Sequence, residues 1–472
     1  MSNLFQDFGA RPAAIDEYGN SLTYQQLFRF ADEFQRHIRK RSLIFSLCTN
    51  QLGSVAGYVA CQKFDLVPLL LADKLDKELL DYLIATYRPD YIWAPQGHAF
   101  ENHSYKKIWE SLDYILYDTG LRSYPMADEL ALLLTTSGST GSPKLVRQSY
   151  KNLLSNTKSI VQYLELDDTE RPITTLPMNY TYGLSIINSH LYVGATILLT
   201  DKNLMQREFW DFFKSAGATS FGGVPYTYEM LYKLRFFRME LPTLRYMTQA
   251  GGKLMPDLHK LFAEYAKERG KKFIVMYGQT EATARMSYLP YHKSLEKYGS
   301  MGIAIPGGTF ELIDVDGNLI QQPHMTGELV YKGENVTLGY AECGEDLIKG
   351  DERHGVLVTG DMAQVDEDGY YYIVGRKKRF LKIFGNRVNL DEAERLLKAK
   401  YPSLDCACAG VDDQMFVFIT DPSFQYDAKK FIAEKTGLNS SAFTIFVIPE
   451  IPKSDSGKTL YQELNALAER KM

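Results

Sequence analysis

The sequence predicts an α/β protein: a large N-terminal region of mostly parallel sheet covered by helices, a β-rich stretch, and a small α+β domain at the end. Three observations carry this. Strand-like and helix-like segments alternate from residue 44 to residue 282, the pattern of parallel strands joined by helices. Helical periodicity then stops at about residue 299, and short alternating strands begin. After the basic turn Gly375-Arg-Lys-Lys-Arg379, roughly the last 95 residues mix helices with strands.

In order, Asp16-Glu-Tyr-Gly-Asn is a turn between two short strand-like pieces. Ser21-Leu-Thr-Tyr opens a helix whose Leu27, Phe30, Ala31 and Phe34 recur at helical spacing. Ile44-Phe-Ser-Leu, Val67-Pro-Leu-Leu-Leu and Tyr91-Ile-Trp-Ala read as buried strands, separated by helices at 53–63 and 77–86. Leu132-Leu-Leu is the end of another strand, and a helix follows at 152–163. Strands are expected at 173–178, 196–199, 246–249 and 273–276, with helices at 184–191, 207–215 and 256–269. Ser220-Phe-Gly-Gly-Val-Pro225 reads as strand then turn. Beyond 299, turns fall at Asp316-Gly-Asn, Lys332-Gly-Glu and Glu367-Asp-Gly. The last domain has helices near 391–400 and 427–436, strands near 406–420 and 444–448, and a polar tail before a short helix.

Composition excludes several classes. The chain of 472 residues is 45% hydrophobic and 24% charged, so it can bury a large core. A net charge of −5 gives no support for nucleic acid as a partner. No apolar run approaches the roughly 18 residues that span a bilayer, and no signal peptide is visible. Five cysteines at irregular spacing, without a His or Cys cluster, read as reduced and structural in a cytoplasmic protein. Cys406 and Cys408 share one face if their segment is a strand.

Polar clusters follow the predicted strands at 136–144, 179–183, 250–253 and 277–282. In a sheet of this kind, ligands bind beyond the carboxyl ends of strands. Thr136-Ser-Gly-Ser-Thr-Gly-Ser-Pro-Lys144 offers hydroxyls, backbone N–H donors and a cation, which can wrap a phosphate. Alone, the stretch reads equally as a solvated linker. It is not the common NTPase loop, because Pro143 stands where a Gly-Lys-Ser/Thr triplet is needed.

In order, the chain also carries Tyr277-Gly-Gln-Thr-Glu281, Gly327-Glu-Leu, Thr359-Gly-Asp361, Gly375-Arg376, Leu381-Lys382, Gly385 and Pro452-Lys-Ser-Asp-Ser-Gly-Lys458. With the 136–144 loop, this set resembles the adenylate-forming superfamily of acyl-CoA synthetases, nonribosomal peptide synthetase adenylation domains and luciferases, over nearly the full length. The resemblance implies ATP- and Mg²⁺-dependent conversion of a carboxylic acid to an acyl adenylate, then transfer to a thiol of CoA or of carrier-protein phosphopantetheine. It implies that Thr136, Ser137, Gly138, Ser139, Thr140, Gly141 and Lys144 hold the β- and γ-phosphates. Glu281 would ligate Mg²⁺, Thr280 would bond the α-phosphate, and Tyr277, Gly278 and Gln279 would border the adenine with Gly251, Gly252 and Lys253. Asp361 and Arg376 would reach the ribose. Lys458 would bridge the substrate carboxylate and the α-phosphate.

The same resemblance divides the chain at 377/378, with a β-rich subdomain over 299–377 and a mobile small domain over 378–472. Lys378 would be the hinge, Gly385 would line the thiol tunnel, and Lys382 would support that face. Tyr180, Thr181, Tyr182, Phe221, Gly222 and Val224 would line the acyl pocket, although Tyr182 and Phe221 also read as plain core. Relatives that activate amino acids place an Asp where Thr181 stands, so a neutral organic acid is expected. Thr135, Leu145, Tyr180, Tyr461 and a shortened small domain depart from the family pattern. Alternatives are an amino-acid adenylating enzyme loading a separate carrier, a non-catalytic paralogue, an amide-forming enzyme, and a light-emitting oxygenase.

Overall fold

The apolar runs near 44, 67 and 91 form three strands, Leu43–Cys48, Val67–Ala72 and Tyr91–Pro95, paired in parallel. Leu130–Thr135 joins them in parallel beside Val67–Ala72. In the computed structural model, which describes residues 4–100, 105–135, 144–384, 386–453 and 459–471, these strands are the centre of an eight-stranded sheet. Its edges are antiparallel: Tyr114–Asp118 and Lys106–Ser111 on one side, Leu145–Ser149 and Gly339–Ala341 on the other. Every residue of Leu43–Cys48 is buried, so its run is apolar rather than alternating. Helix Leu52–Lys63 lies close to this sheet because it carries glycines. A Cβ on Gly57 would stand 2.4 Å from the Trp93 indole nitrogen.

A second sheet of nine strands has a parallel centre of Pro12–Asp16, Ile197–Leu199, Pro172–Ile173, Ser220–Gly223, Tyr246–Gln249 and Lys272–Tyr277. Antiparallel strands close both edges. The strand expected over 173–178 is only Pro172–Ile173. Hydroxyls take over beyond it, with Thr174 Oγ1 accepting from the Thr200 N–H and Thr175 bonding the Gly222 carbonyl. The next helix begins at Thr181 rather than 184. Gly183 fits its first turn because a Cβ there would lie 2.3 Å from the Pro177 carbonyl oxygen. The turn expected at Val224-Pro225 opens a helix, Pro225–Lys233, with proline at its first position.

The chain forms two compact units. The larger comprises Met1–Tyr298, Gly302–Thr309 and Lys332–Leu357; the smaller comprises Gly299–Met301, Phe310–Tyr331 and Val358–Met472. Most of a four-stranded sheet ending in Tyr371–Arg376 lies in the smaller unit. That unit also holds the hairpin of Phe380–Ile383 with Asn386–Asn389 and a sheet of Cys406–Val411, Gln414–Ile419 and Phe443–Val447. Cys406 and Cys408 do share one face, packed with Leu397, Val417 and Ile432, while Ala407 and Ala409 face Phe416, Phe418 and Leu464. All five cysteines are free thiols.

Candidate active site

Three neighbouring strands of the nine-stranded sheet, Ser220–Gly223, Tyr246–Gln249 and Lys272–Tyr277, run parallel and in register. The segments that follow them therefore leave the sheet at one edge, as ligand sites of parallel sheets do. Gly251 has φ +83°, and a Cβ there would meet the Tyr180 hydroxyl at 2.6 Å. Both the backbone and the space demand glycine. Gln249 braces this turn: its Nε2 donates to the carbonyls of Ala250 (3.2 Å) and Gly252 (2.9 Å). Gly278 is equally constrained, since a Cβ on it would stand 1.6 Å from the Ala284 carbonyl oxygen. Gln279 Nε2 donates to the Tyr277 hydroxyl at 3.2 Å.

Thr280 and Glu281 sit on the single 3₁₀ turn Thr280–Ala282. The Glu281 carbonyl accepts from the Thr337 N–H and hydroxyl, both at 3.0 Å, and from Arg353 Nη1 at 3.1 Å. Its carboxylate Oε1 accepts from the Tyr340 hydroxyl at 2.7 Å. Among the described residues Oε2 makes no hydrogen bond. Tyr340 lies on the edge strand Gly339–Ala341, opposite Val146. The Arg353 guanidinium stands 4.7 Å from its ring centroid and Lys144 Nζ 5.8 Å. Lys144 also pairs with Glu342. Tyr340 thus joins two expected site residues that come from different sheets. Burial, then the charge of Glu281, pushes its phenol up to about 12, so the hydroxyl stays a donor. Sequence reading missed Tyr340 and Arg353, and no spacing pattern marks either.

Of the expected acyl-pocket residues, Tyr180, Tyr182 and Val224 share one apolar cluster with Ala250, Ile274 and Met276. Tyr182 bonds Thr248 Oγ1 at 2.7 Å and covers Gly222, where a Cβ would lie 2.9 Å from the Tyr182 hydroxyl. Thr181 begins its helix and borders a small cavity with Gln148, Asn156, Leu184, Ser185, Asn188 and Thr283. Phe221 alternates to the other face, against Phe213, Tyr228 and Phe236.

A family model described as AMP-binding enzyme matches residues 4–341, most of the chain. The chain belongs to the AMP-binding enzyme family. This places it in the adenylate-forming superfamily. It is 28% identical over 363 residues to 4-coumarate–CoA ligase-like 4 of Oryza sativa subsp. japonica, a match covering 73% of this chain and 64% of that protein, less than two thirds of its length. It is 27% identical over 394 residues to the 2-succinylbenzoate–CoA ligase of Oceanobacillus iheyensis, covering 81% of this chain and 79% of that one. The fold matches O-succinylbenzoate Coenzyme A synthetase from Bacillus subtilis in complex with AMP, with a TM-score of 0.79 at 22% identity, covering 96% and 95% of the two chains. ATP-bound MatB from Rhodopseudomonas palustris gives a TM-score of 0.78 at 20% identity, covering 99% and 98%.

In the smaller unit of this AMP-binding enzyme, Asp361 and Arg376 stand opposite each other in paired strands, 3.5 Å apart as an ion pair. Asp361 is buried and Arg376 exposed. Lys377 pairs with Glu328 at 2.7 Å. Lys382 is exposed on a hairpin strand, its N–H donating to Asp412 at 2.8 Å. Lys253 is exposed beside the Gly251-Gly252 turn. Thr136, Ser137, Gly138, Ser139, Thr140, Gly141, Gly385, Lys458 and the Lys378 side chain lie outside the described residues. A cleft of about 810 Å³ lined by Glu129, Asn152, Lys332 and Asp351 holds none of the expected site residues. Among the described residues no group of three or more metal-binding side chains gathers, and no helix is long and apolar enough to cross a membrane.

Proposed function

We propose that this chain is an AMP-forming acid–CoA ligase. The observation that carries the reading is the seat of Tyr340: its hydroxyl holds Glu281, while the Arg353 guanidinium and Lys144 Nζ stand 4.7 and 5.8 Å from its ring centroid. A carboxylate oxygen of the acid attacks the α-phosphorus of ATP. The bond to the bridging oxygen of the β-phosphate breaks, and pyrophosphate leaves. The CoA sulfur then attacks the acyl carbon, AMP departs, and the thiol proton passes to solvent.

Within this reading Lys144 and the loop Thr136–Gly141 hold the leaving pyrophosphate, and Thr280 bonds the α-phosphate. The Gly251-Gly252 backbone and Tyr277 border the adenine, while Asp361 and Arg376 hold the ribose. Lys458 neutralises charge between carboxylate and phosphate. The hinge at Lys378 brings Gly385 and Lys382 to the thiol. Catalysis is chiefly positioning and charge stabilisation. A hard cation such as Mg²⁺ takes few protein carboxylates and several phosphate oxygens, and the Glu281 carboxylate, with one oxygen fixed by Tyr340, fits that demand. When bound, the ion supplies neutralisation of phosphate charge.

CoA is the acceptor we favour over a carrier protein, because the similar proteins carry CoA-ligase names. A cytoplasmic, reducing setting fits the five free thiols. The test is acid-dependent exchange of labelled pyrophosphate into ATP over a panel of carboxylic acids, with CoA thioester read by mass spectrometry. The reading expects exchange with some acids and its loss in Lys458→Ala. Absence of exchange with every acid, or an unaffected variant, overturns it.

A further inference from the structure

Three arginines are buried among the described residues: Arg147, Arg285 and Arg379. Arg147 pairs with Glu352, and Arg379 pairs with Asp391 and Glu394. Arg285 is 2% exposed and has no carboxylate partner among the described residues. Its contacts are neutral. Nε donates to Ser185 Oγ at 3.1 Å, and Nη1 to the Tyr163 hydroxyl at 2.9 Å and to Met276 Sδ at 3.3 Å. The guanidinium lies 5.2 Å from the Tyr182 ring centroid. Nη2 makes no hydrogen bond among the described residues. Its charge acts on Tyr163, Tyr182, His190 and Tyr246, none of them a carboxylate.

A buried cation without an anion is strongly unfavourable, because neutral hydrogen bonds replace only part of its hydration. This one is placed with care. Thr283 and Ala284 both have positive φ, +53° and +85°, a conformation that non-glycine residues adopt seldom. They bend the chain between Glu281 and Arg285. One loop thus carries the carboxylate expected at the metal and, four residues on, a guanidinium against Tyr182 and Ser185. Tyr182 belongs to the cluster that also contains Tyr180 and Val224, the expected wall of the acyl pocket.

Resting on the reading above, we propose that the acid activated here bears a second carboxylate, and that Arg285 pairs with it. The planar fork of a guanidinium suits a carboxylate, and its free Nη2 supplies a donor for one. The expectation of an uncharged acid drawn from Thr181 is revised accordingly: the absence of an acidic residue there rejects an ammonium, while Arg285 selects an anion.

The test compares straight-chain α,ω-dicarboxylates of four to eight carbons with the matching monocarboxylates in pyrophosphate exchange, using the wild-type chain, Arg285→Lys and Arg285→Met. Wild type is expected to favour a dicarboxylate over its monocarboxylate partner in kcat/KM. Arg285→Met should lower that preference about 10- to 100-fold, through KM for the acid, with KM for ATP unchanged. Arg285→Lys, which keeps the cation and the fold, should keep part of the preference. Equal or better use of monocarboxylates by wild type, or a preference unchanged in both variants, overturns the inference and leaves acid activation standing. No exchange with any acid of either series overturns the inference, and acid activation falls with it only if the wider panel of carboxylic acids also gives none.

Discussion

Replacing Tyr340 by Phe removes one hydroxyl and leaves the ring under Arg353. The lost contact is the 2.7 Å hydrogen bond to Glu281 Oε1. Hydrogen bonds to charged groups contribute about 1.5–3 kcal/mol. Glu281 is half-buried, and its backbone stays anchored by Thr337 and Arg353, so the lower half of that range applies. A loss of about 1.5–2.2 kcal/mol corresponds to a factor of about 10–40. It should fall on the apparent affinity for Mg²⁺-ATP, because the carboxylate is freed to turn away from the metal position. The assay is pyrophosphate exchange titrated with Mg²⁺ at fixed ATP. Thermal stability should change little, since no cavity forms. Because the phenol of Tyr340 titrates only at about 12, the wild-type to variant ratio should stay flat from pH 6 to 9. An unchanged Mg²⁺ dependence, or a ratio that varies across that pH range, would refute the positioning role.

Other expected outcomes follow from the same geometry. Gly251→Ala combines a positive φ with a Cβ against the Tyr180 hydroxyl; it should lower stability by about 1–2 kcal/mol and raise KM for ATP, read by thermal melting and exchange kinetics. Tyr461→Ala strips the ring that lies 3.6 Å from buried Arg379 and the 3.1 Å hydrogen bond to Glu394. It should destabilise the smaller unit by about 2–4 kcal/mol, seen as an earlier denaturant transition. Burial lowers His190 from 6.5 to about 3 and His259 from 6.5 to about 4. Both are neutral when folded, and the unfolded chain takes up their protons first. Their stabilising effect is therefore complete above pH 6.5 and is lost as pH falls toward 4, by on the order of 1 kcal/mol per pH unit each. His259→Gln should flatten that slope in urea melts run from pH 7 to 4.5.

The central strands were legible because burial on both faces makes them continuous apolar runs, as in Leu43–Cys48. The edge strands were not. Lys106–Ser111 has one side in water and little apolar pattern. Leu145–Ser149 hides Arg147 and Gln148 in the interior, where carbonyls of Tyr340, Lys349 and Gly350 satisfy the guanidinium. Local sequence holds no sign of such partners. Gly251 and Gly278 were singled out through the family resemblance alone, and the structure supplies the physical reason, surroundings that exclude a Cβ. Tyr340 and Arg285 act through residues far along the chain, so only the fold reveals them. Phe221 shows the converse: an aromatic beside a pocket glycine turned to the opposite face of its strand.

The central claim is attack of a carboxylate on the α-phosphorus, and oxygen tracing tests it most directly. An acid that supports exchange is labelled with ¹⁸O in its carboxylate and turned over with ATP, Mg²⁺ and CoA, and the products are weighed by mass spectrometry. The account predicts one ¹⁸O in AMP and none in pyrophosphate, with the other carboxylate oxygen kept in the thioester. Label in inorganic phosphate, with ADP as the nucleotide product, would contradict it.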